Sequence, residues 1–402
     1  MDDPRPLKTS VWTKKKCDVC GSADSETLGV RAYVWPTVNF RFEMKMKDAL
    51  CRVCGFVFEE SVPEEKFLED YYKDSFTLKS DTADIRPDYD AEKRMAVIRK
   101  YLKPGASILE IGANLGHFCE DLIAEGYRAE GCDVLPSDGG AVRREFVSSA
   151  TRAETSFDAV ASYYVLEHIA DARGWLAAAR GLLNEGGRLI LEVPNFRTHP
   201  SESLNHEHLL HFTPALLARC IHSCGFSILE LNAHEASRNF GFSVVAEKNG
   251  APAELKISAD GPADNKAAYA KAAKIMEERK LKSDLLSEHL AALVRESGPR
   301  TQVYFWGANE FATSFGAAFS SKTGVKPRLV DNGAQKRGLP HDGFVFPVMG
   351  PAFDAADPAP KIFVLCSPNY NWQIASQVEG LGLLNASIVD AIRWQPGAPV
   401  SR

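Results

Sequence analysis

Between about residues 85 and 247, short apolar runs alternate with amphipathic stretches. The apolar runs are SILEIG, YRAEGCDV, FDAVASYYV and RLILEVP, and the stretches between them include FCEDLIAEG and WLAAARGLL. The runs have the length and composition of buried strands, whereas the stretches place apolar residues at helical spacing. Strands that alternate with helices are typical of a parallel sheet covered by helices. We therefore predict an α/β domain at residues 76–250.

Different patterns flank this domain on both sides. Residues 1–75 are rich in aromatic side chains and contain alternating stretches such as RFEMKM, which predict small strands. Residues 251–264 are rich in Ala, Pro, Asp and Gly and predict a linker, after which a long amphipathic helix follows. Further on, VYFWGAN, PRLVDN, KIFVLCSP and ASIVDAI predict strands of a smaller α/β unit. We predict an N-terminal domain at 1–75, a linker and connecting helix at 251–297, and a C-terminal α/β domain at 298–402.

Composition and charge narrow the class of partner. The chain has 402 residues, a formal net charge of -6 and 45% hydrophobic residues, and it contains no apolar run near the roughly 20 residues that a membrane-spanning helix needs. The first residues lack the apolar core of a secretory signal, so we expect a cytoplasmic protein with reduced cysteines. The negative charge disfavours binding to nucleic acid. We expect a small-molecule substrate and no membrane partner, and the oligomeric state stays open.

Four of the nine cysteines form two Cys-x-x-Cys pairs near the N-terminus. These are Cys17 with Cys20 and Cys51 with Cys54, and a glycine follows the second cysteine of each pair. Two such pairs supply the four thiolates of a tetrahedral zinc site. Because sulfur would occupy all four positions, no position is left for water or substrate, and the predicted zinc is structural. The alternative is that the four are free structural thiols.

A glycine-bearing loop follows the first strand of the α/β domain. Gly112 and Gly116 allow a sharp turn before a predicted helix that begins near His117. The loop lacks the third glycine of a dinucleotide fingerprint, and Glu110 places a carboxylate where a pyrophosphate would lie. About twenty residues later the second strand ends at Asp133, an acid suited to ribose hydroxyls. Two carboxylates around a loop without phosphate features indicate S-adenosylmethionine (SAM) as the cofactor.

The densest group of titratable side chains follows the strand that ends near Asn195. It contains Asn205, His206, Glu207, His208 and His211. A histidine oriented by a carboxylate is suited to general-base catalysis, which methyl transfer to carbon requires. In one alternative, the histidines cap and brace a helix that starts near Thr213. In another, His206, His208 and His211 bind a metal ion.

About 160 residues resemble class I SAM-dependent methyltransferases. Beyond the loop, the resemblance rests on Phe157 with Asp158, on VLEHI at 165–169 and on LNEGGRLI at 183–190. It implies that the cofactor is contacted by residues of the loop and of the strand ends. By this resemblance Gly112, Ala113 and Gly116, with Asn114 in the same loop, line the methionine end, Asp133 binds the ribose, Glu154 and Ala153 lie near the adenine, and Tyr163 lines the pocket. Glu167 and His168 either brace the following helix or make direct contacts.

The cysteine pairs, the EIGAN loop, the NHEH segment and the C-terminal unit together resemble a narrower family, the three-domain sugar C-methyltransferases. This resemblance implies a class I methyltransferase Rossmann-like core, a zinc-binding N-terminal domain and a Rossmann-like C-terminal α/β domain on the substrate side. It further implies methylation at C3 of a nucleotide-linked 4-keto deoxysugar, with Glu207 and His208 removing the C3 proton. The family usually has a tyrosine where this chain has Asn205.

Two other functions remain open from the sequence. The first is an O- or N-methyltransferase acting on a sugar or another secondary metabolite, in which His208 deprotonates a hydroxyl group. The second is a zinc-knuckle RNA-binding protein, which the acidic balance disfavours. In the C-terminal unit, Asn309, Lys336 and Arg337 are candidate substrate contacts, although this unit can equally serve only for packing.

Overall fold

The computed structural model describes most of the chain. The described residues are 6–36, 39–76, 90–134, 142–144, 156–200, 207–233, 236–249, 261–308, 310–333, 337–338, 346–367, 370–383 and 385–396. They belong to two compact units, the first comprising Met1–Val34 with Arg41–Lys274 and the second Trp35–Phe40 with Ile275–Arg402. In the described part of the chain, no helix is both long enough and apolar enough to cross a membrane.

The first unit begins with a small region of short strands that pair both parallel and antiparallel. Its elements are β1 (Leu7–Lys8), β2 (Trp12–Lys14), β3 (Ser25–Pro36), β4 (Arg41–Cys51), β5 (Val57–Glu59), β6 (Ser61–Pro63) and the helix α1 (Glu65–Phe76). Along β4 the side chains of Phe42, Met44 and Met46 are buried and alternate with more exposed ones. This period of two is that of a strand with one face in a core, and it confirms the strand predicted from RFEMKM.

A larger sheet forms the rest of the first unit. Its elements are α2 (Ala91–Tyr101), β7 (Ser107–Ile111), α3 (His117–Ala124), β8 (Arg128–Asp133), β9 (Val142–Arg144), β10 (Phe157–Tyr163), α4 (Ala172–Gly181), β11 (Leu183–Pro194), β12 (Leu210–His211), α5 (Pro214–Ser223), β13 (Phe226–Asn232) and β14 (Gly241–Lys248). All except β12 among these strands join one sheet in the order β13-β14-β11-β10-β7-β8-β9. The predicted class of α/β fold is confirmed.

This sheet is mixed rather than wholly parallel, which corrects the prediction. Strands β7, β8, β10 and β11 pair in parallel, as expected from the intervening helices. Strands β13 and β14 pair antiparallel to each other, and β14 pairs antiparallel to β11. The connection from β13 to β14 is too short for a crossover between parallel strands, so the two strands can pair only antiparallel.

The histidine-rich segment is attached to the N-terminal region by main-chain hydrogen bonds. Strand β12 pairs with β5, with His211 opposite Val57. The Leu209 N–H donates to the Glu167 carbonyl (2.7 Å), and the Glu59 N–H donates to the Leu209 carbonyl (2.7 Å). The histidine-rich segment is therefore hydrogen-bonded both to the N-terminal region and to the turn that contains Glu167. The backbone of a surface loop has no such constraint.

The starts of two helices can be compared with the starts predicted from the sequence. Helix α5 begins at Pro214, and the Thr213 side chain accepts the Leu216 N–H, so the predicted start is confirmed and the cap is a threonine rather than a histidine. Helix α6 (Pro262–Ser297) begins inside the stretch 251–264 that the composition assigns to a linker. Proline is favoured in the first turn of a helix, which explains the earlier start. Residues 251–260 lie outside the described part.

The second unit contains the predicted four-stranded sheet. Its elements are β15 (Gln302–Trp306), α7 (Glu310–Thr323), β16 (Arg328–Val330), β17 (Lys361–Leu365), α8 (Asn371–Gly380) and β18 (Ala386–Asp390), and the strand order is β16-β15-β17-β18. All three pairings are parallel. At the end of β15 the Ala308 N–H donates to Asp331 Oδ2 (2.7 Å), a bond between the first loop and the acid that follows the second strand.

Candidate active site

The loop after β7 turns through three residues with positive φ. These are Gly112 (79°), Asn114 (52°) and Gly116 (85°), the last of which is the N-cap of α3. A Cβ atom on Gly112 would lie 2.2 Å from Val165 Cγ2, so both the backbone angle and the close approach require glycine there. Ala113, the residue between Gly112 and Asn114, is buried. The loop therefore has the shape predicted from the sequence.

Replacing Gly112 with alanine should weaken binding of S-adenosylhomocysteine by about tenfold or more, because positive φ costs a residue with a Cβ about 1–2 kcal/mol and the clash with Val165 displaces the loop. Isothermal titration calorimetry measures the effect. Gly186→Ala is the matched control, since Gly186 also has positive φ (71°) but no atom lies within 4 Å of its added Cβ. Equal affinity for the ligand in both variants would show that the loop does not bind it.

Two acids bracket this loop. Asp133, at the end of β8, accepts the Asn114 N–H through Oδ2 (2.7 Å), which ties the second strand to the turn. Glu110 is buried in β7 and accepts the Cys119 S–H through Oε2 (3.1 Å). Burial raises the pKa of Glu110 to about 7, against the opposing influence of Arg94. Both predicted acids thus lie at the loop, and one of them titrates near neutrality.

Binding of S-adenosylhomocysteine should become stronger as the pH rises from about 6 to about 8, by about tenfold. Below its raised pKa of about 7, Glu110 is protonated and offers no charge to the ammonium group of the ligand; above it, the carboxylate is present. Affinity measured across this range in the wild type and in Glu110→Gln tests the prediction. A slope that persists in Glu110→Gln would assign the titration to another group.

Tyr163 ends β10 and packs against Phe118 of α3 and Arg94 of α2. Its ring lies 5.4 Å from the Phe118 ring in an edge arrangement, and the guanidinium carbon of Arg94 lies 3.9 Å from its centroid. The sequence reasoning missed Arg94. The signal was available, because Arg94 shares a face of α2 with the buried Ile98, a position that is normally apolar.

A second cluster surrounds His208, which is buried. The His208 and His168 rings meet edge to face, with centroids 4.8 Å apart. The Nδ1 atom of His168 lies 3.1 Å from the Glu207 carbonyl oxygen and 3.2 Å from the Tyr72 hydroxyl. A carbonyl oxygen only accepts, so His168 Nδ1 carries the proton in the bond to Glu207. The Tyr71 hydroxyl donates to Glu207 Oε1 (2.8 Å).

Glu167 adds a protonated acid to this cluster. The residue is 1% exposed, and neither carboxyl oxygen has a hydrogen-bond partner. Burial raises the pKa of Glu167 to about 8, so the group is largely neutral at pH 7. Its Oε1 lies 3.9 Å from His168 Nε2. Both residues belong to the short 3-10 turn Leu166–His168, and their side chains lie beside His208.

The cluster around His208 contains a group of possible metal ligands that differs from the one suggested by the sequence. Glu167, His168 and His208 have ligand atoms within 4.8 Å of one another and can hold an ion. His211, which the sequence placed in a different ligand set, is fully buried with Nε2 3.8 Å from Asp48 Oδ1. His206 lies outside the described residues, as do Asn205, Glu154, Ala153, Asn309 and Lys336. Arg337 is described, and its guanidinium donates to the Asn332 carbonyl (3.0 Å).

The two tyrosines of the cluster come from α1, and they lie 136 residues (Tyr71 to Glu207) and 96 residues (Tyr72 to His168) from their partners in the chain. Tyr71 is buried, with its ring 5.3 Å from that of Phe42 on β4, and Tyr72 is half-buried. Nothing in the local sequence marks either tyrosine as part of a site. Their contacts depend on packing of α1 against the N-terminal sheet.

The four paired cysteines come together as predicted. Their sulfur atoms all lie within 4.8 Å of one another, with Cys17 and Cys54 at 3.6 Å and Cys20 and Cys51 at 3.5 Å. Four thiolates around one zinc ion at 2.3 Å lie about 3.8 Å apart in a regular tetrahedron, so the donor set fits zinc. Burial, followed by the neighbouring thiols, raises the pKa of Cys51 to about 11, which disfavours the thiolate without a cation.

The comparisons with known proteins agree on the central domain. Residues 85–246 match the family model described as a methyltransferase domain. No curated protein sequence matches the chain.

Several solved structures are similar to this region of the chain. An S-adenosylmethionine-dependent methyltransferase from Mesorhizobium loti has 15% identity, and the match covers 40% of this chain and 100% of that one, with a TM-score of 0.33. The 1,6-didemethyltoxoflavin-N1-methyltransferase of Burkholderia thailandensis has 18% identity, with 50% and 96% covered and a TM-score of 0.40. The N-methyltransferase NodS of Bradyrhizobium japonicum has 15% identity, with 40% and 87% covered and a TM-score of 0.33.

The region that matches the family model contains the cofactor loop. The matched residues span β7 to β14, and within them the glycine turn lies between two acids at strand ends. Together these features define a class I SAM-dependent methyltransferase, and the protein is an enzyme of that class.

Proposed function

We propose that the enzyme methylates C3 of a nucleotide-linked 4-keto deoxysugar. The observation that carries this proposal is the buried cluster of His208, His168, Glu207 and Tyr71. Methyl transfer to nitrogen needs mainly orientation, whereas a carbon next to a carbonyl becomes a nucleophile only after it loses a proton. A buried, oriented histidine supplies that step. The resemblance to the three-domain sugar C-methyltransferases supplies the substrate class.

One contact links the His208 cluster to the cofactor loop. Gly112 packs against Val165, and the 3-10 turn that carries Glu167 and His168 begins at the next residue. The Leu209 N–H then holds the His208 segment to the carbonyl of that turn. These contacts support a base and a methyl donor at the same edge of the sheet, where ligands bind in α/β folds.

The reaction assigns a separate task to each residue. When bound, SAM supplies an electrophilic methyl group on a positively charged sulfur. His208 removes the proton from C3, and the electron pair of the C–H bond moves toward the C4 oxygen to give an enolate. Tyr71 holds Glu207, and His168 holds its main chain, so the segment does not shift when His208 becomes charged. C3 then takes the methyl group, and the electrons of the broken bond remain on sulfur.

We propose a structural zinc ion at Cys17, Cys20, Cys51 and Cys54. The sulfur spacing, the tight turns and the complete sulfur shell support it. We further propose residues 1–75 as the zinc domain, 76–250 as the methyltransferase domain, 251–297 as linker and connecting helix, and 298–402 as a substrate-side domain. The expected partner is a small molecule.

The test uses the full-length protein, SAM labelled in its methyl group and a panel of nucleotide 4-keto sugars. NMR of the product locates the methyl group, and the same incubation in D₂O without SAM measures exchange of the C3 proton. A methyl group on C3 with exchange supports the proposal. A methyl group on oxygen or nitrogen, without exchange, identifies an O- or N-methyltransferase instead. Salt-sensitive RNA binding without turnover contradicts both.

A further inference from the structure

Arg238 lies at the carboxyl end of the parallel strands, in the connection between β13 and β14. Its carbonyl accepts the Gly241 N–H (3.1 Å), and Gly241 is paired with Pro194, the last residue of β11. The Asn195 N–H donates to the Phe240 carbonyl (2.8 Å), which ties the same connection to the residue that follows β11. Arg238 is therefore at the edge of the sheet where ligands bind in α/β folds.

The guanidinium group of Arg238 packs against two aromatic rings. Its central carbon lies 5.0 Å from the centroid of the Tyr164 ring and 5.9 Å from that of Phe240. The Tyr164 hydroxyl donates to the Arg238 carbonyl (3.4 Å), so this tyrosine contacts both the main chain and the side chain of the arginine. A Cβ atom on Gly241 would overlap the Tyr164 hydroxyl, so glycine leaves the space in which the tyrosine lies.

Tyr164 links Arg238 to the turn beside His208. Its φ is 60°, a left-handed angle that costs a residue with a Cβ about 1–2 kcal/mol. Strain of this kind is found mainly at functional sites, where the surrounding structure maintains it. The Tyr164 N–H donates to the Glu192 carbonyl (2.8 Å), and the 3-10 turn Leu166–His168 begins two residues later. The ring under the guanidinium is therefore close in the chain to the acid–base cluster.

The positive charge of Arg238 has no counter-ion among the described residues. Its Nε atom is buried and has no hydrogen-bond partner there. Arg188 has a similar Nε atom, but its guanidinium forms an ion pair with Glu247 (2.5 Å). Burial raises the pKa of Glu167 to about 8 although the charge of Arg238 lowers it, so this acid is largely protonated at pH 7 and does not neutralise the arginine.

A buried donor without an acceptor costs about 1–3 kcal/mol, a cost that a ligand oxygen would remove. Removal of the C3 proton creates such an oxygen. A C–H group beside a ketone is much less acidic than an imidazolium, so His208 can take the proton only if the charge on the C4 oxygen is stabilised as it forms. Resting on the proposed C-methylation, we propose that the Arg238 guanidinium donates a hydrogen bond to the C4 oxygen and stabilises the enolate.

The electron movements assign Arg238 to one step. As the C3 proton moves to His208, the electron pair of the C–H bond forms the C3–C4 double bond, and a pair of the carbonyl group moves to the oxygen that faces Arg238. When C3 attacks the methyl group, this pair returns to form the carbonyl group again. The electrons of the broken bond to the methyl group remain on sulfur.

The test uses the full-length enzyme, SAM and the nucleotide 4-keto sugar that the enzyme methylates. Arg238→Gln should lower kcat and the exchange of the C3 proton by about 10²- to 10³-fold, the usual loss when one donor to an oxyanion is removed. KM for the sugar and affinity for S-adenosylhomocysteine should stay within about threefold, because neither ligand carries the enolate charge in its ground state. Arg188→Gln is the matched control and should leave kcat and exchange unchanged.

A raised KM with unchanged kcat in Arg238→Gln would overturn the proposal and assign Arg238 to binding of the substrate phosphates. Unchanged turnover and exchange would remove it from the reaction. If circular dichroism shows that this variant does not fold, Arg238→Lys provides the decision, since it keeps the charge but not the Nε–H donor. A fall in kcat of about tenfold at unchanged KM then supports the proposal, and a wild-type kcat or a raised KM contradicts it.

The wild-type enzyme separates this inference from the proposed function. A methyl group on oxygen or nitrogen, without exchange of the C3 proton in the wild type, would contradict C-methylation itself. A methyl group on C3 with normal exchange in both the wild type and Arg238→Gln would contradict only the role of Arg238.

Discussion

Replacing His208 with alanine should lower methyl transfer by about 10²- to 10⁴-fold, the range that a general base contributes. Exchange of the substrate C3 proton with solvent should fall together with turnover, because the same group performs both. Binding of S-adenosylhomocysteine should stay within about threefold of the wild type, since the cofactor loop does not depend on the histidine side chain. Steady-state kinetics, NMR exchange and calorimetry measure the three quantities.

His222→Ala is the control, because His222 lies exposed near the end of α5 and belongs to no cluster described above. Three outcomes separate the alternatives. Loss of turnover with exchange retained would move the base to another residue. Normal turnover and normal exchange would remove His208 from the mechanism. Turnover that depends on an added divalent metal ion would favour the metal cluster of Glu167, His168 and His208.

Replacing Cys51 with serine should release one zinc ion per chain and destabilise the N-terminal region by about 3 kcal/mol or more. Structural zinc sites contribute apparent binding free energies of about 10–16 kcal/mol at neutral pH, which is comparable with the stability of a whole domain. Methyl transfer should fall as well, because β5 holds β12 and α1 carries Tyr71 to Glu207. Metal analysis, thermal unfolding and kinetics test these expectations.

Cys224→Ser is the matched control, since Cys224 is half-buried and lies outside the four-cysteine group. It should retain both the metal and the activity. A Cys51→Ser enzyme that keeps full activity after losing zinc would separate the zinc site from catalysis. A wild-type protein without zinc after expression in metal-replete medium would contradict the zinc proposal itself.

Local patterns in the sequence were enough for several elements. The apolar runs at β7, β10 and β11 are nearly continuous because both faces of a central sheet strand are buried, and this is visible without a structure. The turn at Gly112 and Gly116 was also predictable, because glycine is the residue that tolerates positive φ. The antiparallel addition of β13 and β14 was not, since pairing direction depends on the connection and on available edges.

The cofactor site was predicted better than the acid–base cluster for a similar reason. Glu110 and Asp133 belong to consecutive strands of one sheet, so their proximity follows from the order of elements. Tyr71 and Glu207 are separated by 136 residues, and only the packing of α1 brings the Tyr71 hydroxyl within 2.8 Å of Glu207 Oε1. Arg94 was overlooked although it shares a helix face with the buried Ile98, because the helix as a whole has the composition of a surface helix.

The sequence by itself determined the class of fold, the glycine turn with its two acids, and the two cysteine pairs. Each of these features depends on residues close in the chain or on the regular order of strands. Backbone angles and the burial of strand faces follow there from the local sequence. The tertiary structure alone decided that His168 faces His208, that α1 contributes tyrosines, and that Arg94 is buried at the loop. Such contacts arise when distant apolar faces pack together, and the burial that results sets the protonation of Glu110 and Glu167.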